Sequence, residues 1–363
     1  MPRNSFTIGA LPLPGHSHIS LGRRHPTQVG LIVADADVRD GRWHDVDITI
    51  GHGHRAAEKL FEVRDYRAAI MLADRHDWWS AFSGELLVTR AIEQAMRLQV
   101  PRRALILRAL LAEISRIHSH LGFLSYIAER HESRMWEIVD AIRESLLQWS
   151  GNRVHPMLNR VGGLAENLPE NWEFSDSPIL QIADQLESRL QSTDRFRGLA
   201  VLDEAACLAH GLSGPVSRAA GLDLDRRANS DQIYAEVFTA APPRKAGDAH
   251  ARFEVLIDEL RNSAQMAVEL LRLAAETSGE VSVKLARRLK VPEGEHWAEL
   301  EAPWGIAGAL LVSRGGSSPW RLALRTPSFA NLSALGTALE GTPETQIADA
   351  VASIGYSVGD ADK

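Results

Sequence analysis

Three stretches carry residues whose types and spacing suit chemistry. The first is Gly51-His52-Gly53-His54-Arg55-Ala56-Ala57-Glu58-Lys59. Its glycines let a strand turn sharply into a helix, which puts His54, Arg55 and Glu58 at or near a helix start. An arginine there offers a fork of N–H donors to an anionic or sulfur-rich neighbour. The His-x-His pair is a weak metal signal, because no His-x-x-x-His accompanies it. The plainer reading is a polar loop with an Arg–Glu pair on the helix. The second stretch is Asp74-Arg75-His76-Asp77-Trp78-Trp79. Acid and base alternate beside two indoles, as in a pocket wall, or a capping Asp precedes core tryptophans. The third is Glu113, Arg116 and His120, which share one helix face. They form either a polar ladder inside an apolar bundle or a solvated charged stripe. His155 and Arg160 stand in a loop before Gly162-Gly163.

The elements around these residues divide by texture. Residues 1–20 are rich in Pro, Gly, His and Ser and read as a loose arm. Residues 21–55 hold two β-like runs, Gly30 to Ala34 and Trp43 to Ile50, turned at Asp40-Gly41, which predict a small antiparallel sheet. Residues 56–290 read as a bundle of helices. Pro101 suits a first helical turn. Amphipathic runs follow at Ala104 to Ala128, Glu132 to Trp149, Pro178 to Asp194 and Gly247 to Thr277, with a loop from Asn152 to Asp176. Residues 291–363 turn to β at Glu299-Leu300-Glu301, Ala307 to Ser313 and Trp320 to Arg325, then a short helix near Leu332 to Leu339. The fold class is α+β, with a central bundle of long helices, a small N-terminal sheet and a mixed C-terminal region.

Composition excludes several functions. The net charge of −7 over 363 residues gives no electrostatic pull toward nucleic acid. Cys207 is the single cysteine. It can form no internal disulfide, which points to an intracellular chain, and cannot build an iron–sulfur cluster alone; a structural zinc site would have to lean on His and carboxylates, and no metal is expected. No apolar run approaches a membrane span, and no signal peptide is evident. Neither a Gly-x-Gly-x-x-Gly helix start nor a phosphate-binding Gly-x-x-x-x-Gly-Lys-Ser/Thr loop occurs, so the chain offers no nucleotide site.

In order and spacing, the motifs resemble the D-subunit (49-kDa) family of NADH-quinone oxidoreductase (complex I), related to the large subunit of nickel–iron hydrogenases. The resemblance covers roughly residues 20–363. It is carried by His25-Pro26 with Gly30; Gly51-x-x-His54-Arg55-x-x-Glu58-Lys59-Leu60; Asp74-Arg75-x-Asp77; Val100-Pro101-x-Arg103-Ala104; and Glu113-Ile114-Ser115-Arg116-Ile117-x-x-His120. Further matches are Ser150-Gly151-x-Arg153, Arg160-x-Gly162-Gly163, Gly211-x-x-Gly214-Pro215, Gly247-Asp248, Glu301-Ala302-Pro303-x-Gly305 and Ala323-x-Arg325-x-Pro327-Ser328-Phe329.

The resemblance implies a hydrogenase-large-subunit-like fold and a peripheral position on the cytoplasmic side of the cell membrane. It implies a small B-like iron–sulfur partner, C-like and I-like hydrophilic partners, and an H-like membrane partner. Quinone is then the substrate, reduced in the cleft shared with the iron–sulfur partner. FMN and NADH bind in other subunits, and proton translocation is coupled in the membrane. Hydrogenase ligand pairs are missing, because His76-Asp77-Trp78-Trp79 stands where the first Cys-x-x-Cys would be.

By the same resemblance, Arg55 and His155 lie beside the partner's terminal cluster. The family's quinone-binding His falls at Val29 and its headgroup Tyr at Trp78, while Arg130 takes the place of a membrane-side Asp. Valine carries no proton, and the indole N–H is a poor proton source. His25, His54 and Asp77 complete the quinone-cleft candidates, with His76 a further nearby group. The competing expectation is a scaffold subunit of a complex I-like or hydrogenase-like assembly that no longer reduces quinone itself.

Overall fold

The computed structural model describes residues 3–128, 132–229 and 232–363. Arg130 lies outside the described residues.

The chain opens with β1 (Asn4–Gly9), β2 (Ser17–Ile19), β3 (Leu31–Arg39) and β4 (Arg42–Thr49), in the sheet order β2-β1-β3-β4. The pairs β1–β3 and β3–β4 are antiparallel, and β2 adds a short parallel edge. Asp40 and Gly41 turn the hairpin at φ 50° and 70°, the left-handed geometry that a two-residue turn needs. The loose arm expected at residues 1–20 is therefore partly wrong. Phe6 and Ile8 are buried, Phe6 packs on Trp43 with ring centroids 4.4 Å apart, and β3 supplies the ladder partners. Tertiary pairing outweighs the Pro- and Gly-rich composition on either side.

The helices follow as α1 (Ala57–Glu62), α2 (Tyr66–Ala73), α3 (Ala81–Met96), α4 (Arg102–Ala128) and α5 (Glu132–Ser150). A two-residue ladder, β5 (Asn159–Arg160) with β6 (Gly163–Leu164), interrupts the expected loop. Then come α6 (Ser177–Gln191), α7 (Glu204–His210), α8 (Gly214–Ala219), α9 (Tyr234–Val237) and α10 (Ala249–Glu276). Local chemistry sets several starts. The Asp65, Asp203 and Asp248 side chains cap α2, α7 and α10, and a proline sits in the first turn of α6. Helices α4 and α10 form the central pair, with α3, α5 and α6 packed on α4. Because neighbours surround α4, even its polar residues Arg108, Glu113, Arg116 and His120 are buried.

The C-terminal part begins with the antiparallel sheet β7 (Gly294–Ala302), β8 (Gly305–Ser313) and β9 (Arg321–Arg325), which packs on α3. Trp304, in the tight β7–β8 turn, is fully buried against Phe123 of α4 at 4.3 Å between centroids. The expected helix near Leu332 to Leu339 is split into α11 (Pro327–Ser333) and α12 (Leu335–Leu339). Helices α13 (Ile347–Ser353) and α14 (Val358–Ala361) bring the chain end back to the loop after β4.

Candidate functional site

The loop from β4 to α1 ends at Ala56, whose φ of 56° turns the chain into the helix. Arg55, just before it, is exposed, and its Nη2 donates to the Arg75 carbonyl at 3.4 Å. Glu58 does not pair with Arg55. It accepts instead from Arg321 and from the Leu324 amide of β9, which fixes α1 to the C-terminal sheet. Arg75 reaches Asp74 Oδ2 at 3.4 Å and Met157 Sδ at 3.6 Å. Asp74, fully buried at the end of α2, pairs through Oδ1 with His155 Nδ1 at 3.0 Å. Arg55, Arg75, Asp74 and His155 thus form one continuous chain of contacts. Arg160 stays apart, donating to the carbonyls of Met157 and Asn159.

The 152–159 loop is built to hold His155. Asn152 Oδ1 accepts from the amides of Val154 and His155, both at 3.0 Å. Buried Glu85 of α3 accepts from the amides of Met157 and Asn159. Burial pushes the Glu85 carboxyl up to about 7 despite these donors, and nearby Asp74 adds to the effect.

The quinone-cleft candidates divide. His25 is 4% exposed; its Nδ1 accepts from the Thr27 amide and its Nε2 donates to the Ala348 carbonyl. Burial lowers its pKa to about 4, so it is a neutral structural histidine with both nitrogens engaged. Val29 is 76% exposed and offers only apolar surface. His54 is exposed, with Nδ1 2.6 Å from the Lys363 carbonyl. Asp77, rather than Asp74, serves the turn into α3, accepting from the amides of Trp79 and Ser80 at 3.0 and 3.2 Å. Trp78 is half-buried. Trp79 lies against Gly122 of α4, where a Cβ would come within 2.3 Å of its ring.

A partner of this loop that sequence reasoning missed is the chain end. Asp362 accepts from the amides of Gly51 at 2.7 Å and Gly53 at 2.6 Å, and Asp360 Oδ1 lies 3.3 Å from His76 Nδ1. In sequence, Asp360-Ala361-Asp362-Lys363 looks like a solvated tail, and no local signal marks it.

A family description, respiratory-chain NADH dehydrogenase 49 Kd subunit, matches residues 133–287 and 276–363. The D 2 subunit of NADH-quinone oxidoreductase from Salinispora arenicola is 40% identical over 362 residues, covering 95% of this chain and 93% of that protein. The D 2 subunit of the same enzyme from Streptomyces griseus is 39% identical, covering 100% of this chain and 96% of its own. The D subunit from Carboxydothermus hydrogenoformans is 33% identical, covering 95% and 98%. The chain belongs to the D-subunit family of NADH-quinone oxidoreductase.

In this D-subunit chain the helix ladder is internal, not a solvated stripe. Glu113 accepts from Arg227 at 3.1 Å, Ser263 at 2.7 Å and the Tyr234 hydroxyl at 2.7 Å, and Arg116 Nε reaches it at 3.3 Å. His120 Nε2 lies 2.9 Å from Glu259, which also binds Arg218 at 2.8 Å through Nε. Arg218 continues to Glu301 at 3.0 Å and Asp225 at 3.5 Å. The guanidinium groups hold Glu113, Asp225 and Glu259 below the usual carboxylate range against the opposing effect of burial, whereas burial pushes Glu301 up.

Among the described residues no group of three or more His, Cys, Asp or Glu suits a metal, and no helix is long and apolar enough to cross a membrane. Burial pushes the Cys207 thiol up to about 11, away from thiolate chemistry. A recess of about 1040 Å³ beside Trp172 and Phe174 includes none of the candidate site residues. Of the candidate residues, Val29, His54 and Arg55 are exposed.

Proposed function

We propose that this chain forms one wall of a quinone-reducing cleft in an NADH-quinone oxidoreductase, with a small iron–sulfur partner as the other wall. The observation that carries the reading is the joining of Arg55 and His155 through Arg75 and Asp74, from separate parts of the chain. An exposed guanidinium and an imidazole anchored on a buried carboxylate suit the edge of a partner's cluster. A cation and a hydrogen-bond donor beside a cluster's sulfurs stabilise its reduced form and raise its potential. Quinone is the substrate, and NADH and FMN bind elsewhere in the assembly. The iron–sulfur partner is B-like, and further partners are C-like, I-like and H-like. They place the chain peripherally on the cytoplasmic side of the membrane, with proton translocation coupled in the membrane-embedded partners.

The test is Arg55→Met in the assembled complex. The terminal cluster's midpoint potential should fall and quinone turnover should drop. Unchanged cluster resonance together with unchanged turnover would overturn the reading.

Val29 and Trp78 favour a second reading, a scaffold subunit that no longer reduces quinone. Covalent labelling of residues 25–30 or 74–80 by a photoreactive quinone would sink it.

A further inference from the structure

The chain end is built into the Trp78 loop. A Cβ on Gly359 would lie 2.5 Å from the His76 carbonyl oxygen and 2.7 Å from the Trp78 ring, so only glycine allows this approach. Asp362 locks the same segment to the amides of Gly51 and Gly53. Asp360 is thereby held 3.3 Å from His76 Nδ1, next in sequence to Asp77, whose carboxyl feels its charge. Asp77 is 6% exposed and Asp360 5%. Among the described residues neither has a guanidinium or ammonium partner. Asp77 accepts from the amides of Trp79 and Ser80; Asp360 meets His76 and the Ser328 amide. One further atom marks the spot as unfinished. Among the described residues His76 Nε2 is buried without a hydrogen-bond partner, while the Ser357 hydroxyl lies against Asp77.

Two carboxyl groups buried together without a cation do not both ionise near neutral pH; one keeps its proton. Burial and then the charge of Asp360 push Asp77 up to about 8. The other charged groups nearby are already engaged. Asp74 is paired with His155 and Arg75, Asp362 is bound by amides, and Lys363 sits over the Phe329 ring. A proton held on this pair would sit next to residue 78, where a tryptophan supplies none.

We propose that Asp77 and Asp360 hold one proton between them and deliver it to the reduced quinone, in place of an acid at residue 29 or 78. The inference rests on the quinone-reducing reading above. Electrons come from the partner's iron–sulfur cluster. As charge builds on a quinone oxygen, the carboxyl O–H bond breaks and a new O–H bond forms on that oxygen, leaving both aspartates ionised. The pair then takes up a proton from solvent, and a second electron and a second proton complete the quinol.

The experiment is quinone turnover against pH by the complete complex, with the terminal cluster's resonance confirming assembly. Asp360→Asn is the principal variant, because Asp77 also serves the turn into α3. Removing the Asp360 charge lowers the affinity of Asp77 for its proton. The alkaline fall in turnover should therefore move to lower pH, by on the order of one unit. Asp77→Asn should slow turnover at least about tenfold with the cluster signal unchanged, and Trp78→Tyr in that background should restore part of the rate by supplying a phenol. Infrared difference spectra on reduction should lose a carboxyl C=O band in Asp77→Asn. A wild-type complex that reduces no quinone overturns the quinone-reducing reading and this inference with it. A wild type that reduces quinone, with the Asp360→Asn profile unmoved and Asp77→Asn at full rate, overturns this inference alone.

Discussion

His155 Nδ1 meets Asp74 Oδ1 at 3.0 Å, across 81 residues of sequence. Asp74 is fully buried, whereas His155 is partly exposed, so the carboxylate acts as an internal anchor for a surface imidazole. With Nδ1–H held by Asp74, Nε2 is free to face a partner. If Asp74 works by positioning, its effect must pass through His155 and Arg75. Asp74→Asn should slow quinone turnover by about 10–100-fold, as loss of an orienting carboxylate commonly does. The double variant Asp74→Asn/His155→Ala should be little worse than His155→Ala alone. Measured cluster potentials of the three variants check this; additive shifts would show that Asp74 acts independently.

The core network has a charge imbalance that makes its own prediction. Glu113, Asp225, Glu259 and Glu301 face Arg116, Arg218 and Arg227, an excess of one carboxylate over the guanidinium groups. Burial pushes Glu301 up and His120 down, so of the four carboxyls Glu301 is the one shifted toward its protonated form. Glu301→Gln keeps an amide oxygen to accept from Arg218 and should cost only about 1 kcal/mol, the value of its bond to the Arg226 amide. Glu259→Gln leaves Arg218 without its closest counter-charge and should cost about 3–5 kcal/mol. The sign with pH follows. Glu301 binds its proton more tightly folded than unfolded, so this stabilisation is lost as pH rises through the folded value. Thermal unfolding of both variants against pH measures these differences.

How much of this is legible in the sequence differs by element. Helices α4 and α10 announce themselves, because long runs of good helix formers keep one period. The Glu113, Arg116, His120 spacing sets a shared face but not its surroundings. Arg218, Arg227 and Glu259, which make that face an interior, come from other elements. The strand at Asn4–Gly9 is hard to see because only six residues alternate between Pro- and Gly-rich flanks. Motifs single out Arg55 and His155, yet the Asp74–Arg75 link between them is purely tertiary. Asp360 and Asp362 carry no local signal, since a charged chain end is ordinarily solvated.

The chain-end clamp can be tested by itself. Asp362 makes charge-assisted bonds to two amides of the 51–53 loop. Asp362→Ala should cost about 1.5–3 kcal/mol locally and release the loop that carries His54 and Arg55. Amide hydrogen exchange should rise at Gly51 and Gly53 and stay unchanged in α4. Gly359→Ala should produce the same local opening through the clash with His76 and Trp78. Protection that persists in both variants would mean that the chain end does not hold the loop.

Acid sensitivity should trace to two buried histidines. His25 and His118 are each lowered to about 4 by burial. His118 accepts from Arg143 Nε at 3.2 Å and stands 3.3 Å from the Trp79 carbonyl, so it too is fixed in a neutral form. The folded chain thus binds fewer protons here than the unfolded chain, whose histidines titrate near 6.5. The stabilisation is complete above about 6.5 and is lost as pH falls through about 4. At ~1.4 kcal/mol per unit, each histidine accounts for about 3 kcal/mol of the loss. His25→Gln and His118→Gln should each flatten the decline in unfolding temperature between pH 6.5 and 4. An acid limb as steep as in the parent would place the sensitivity elsewhere in the fold.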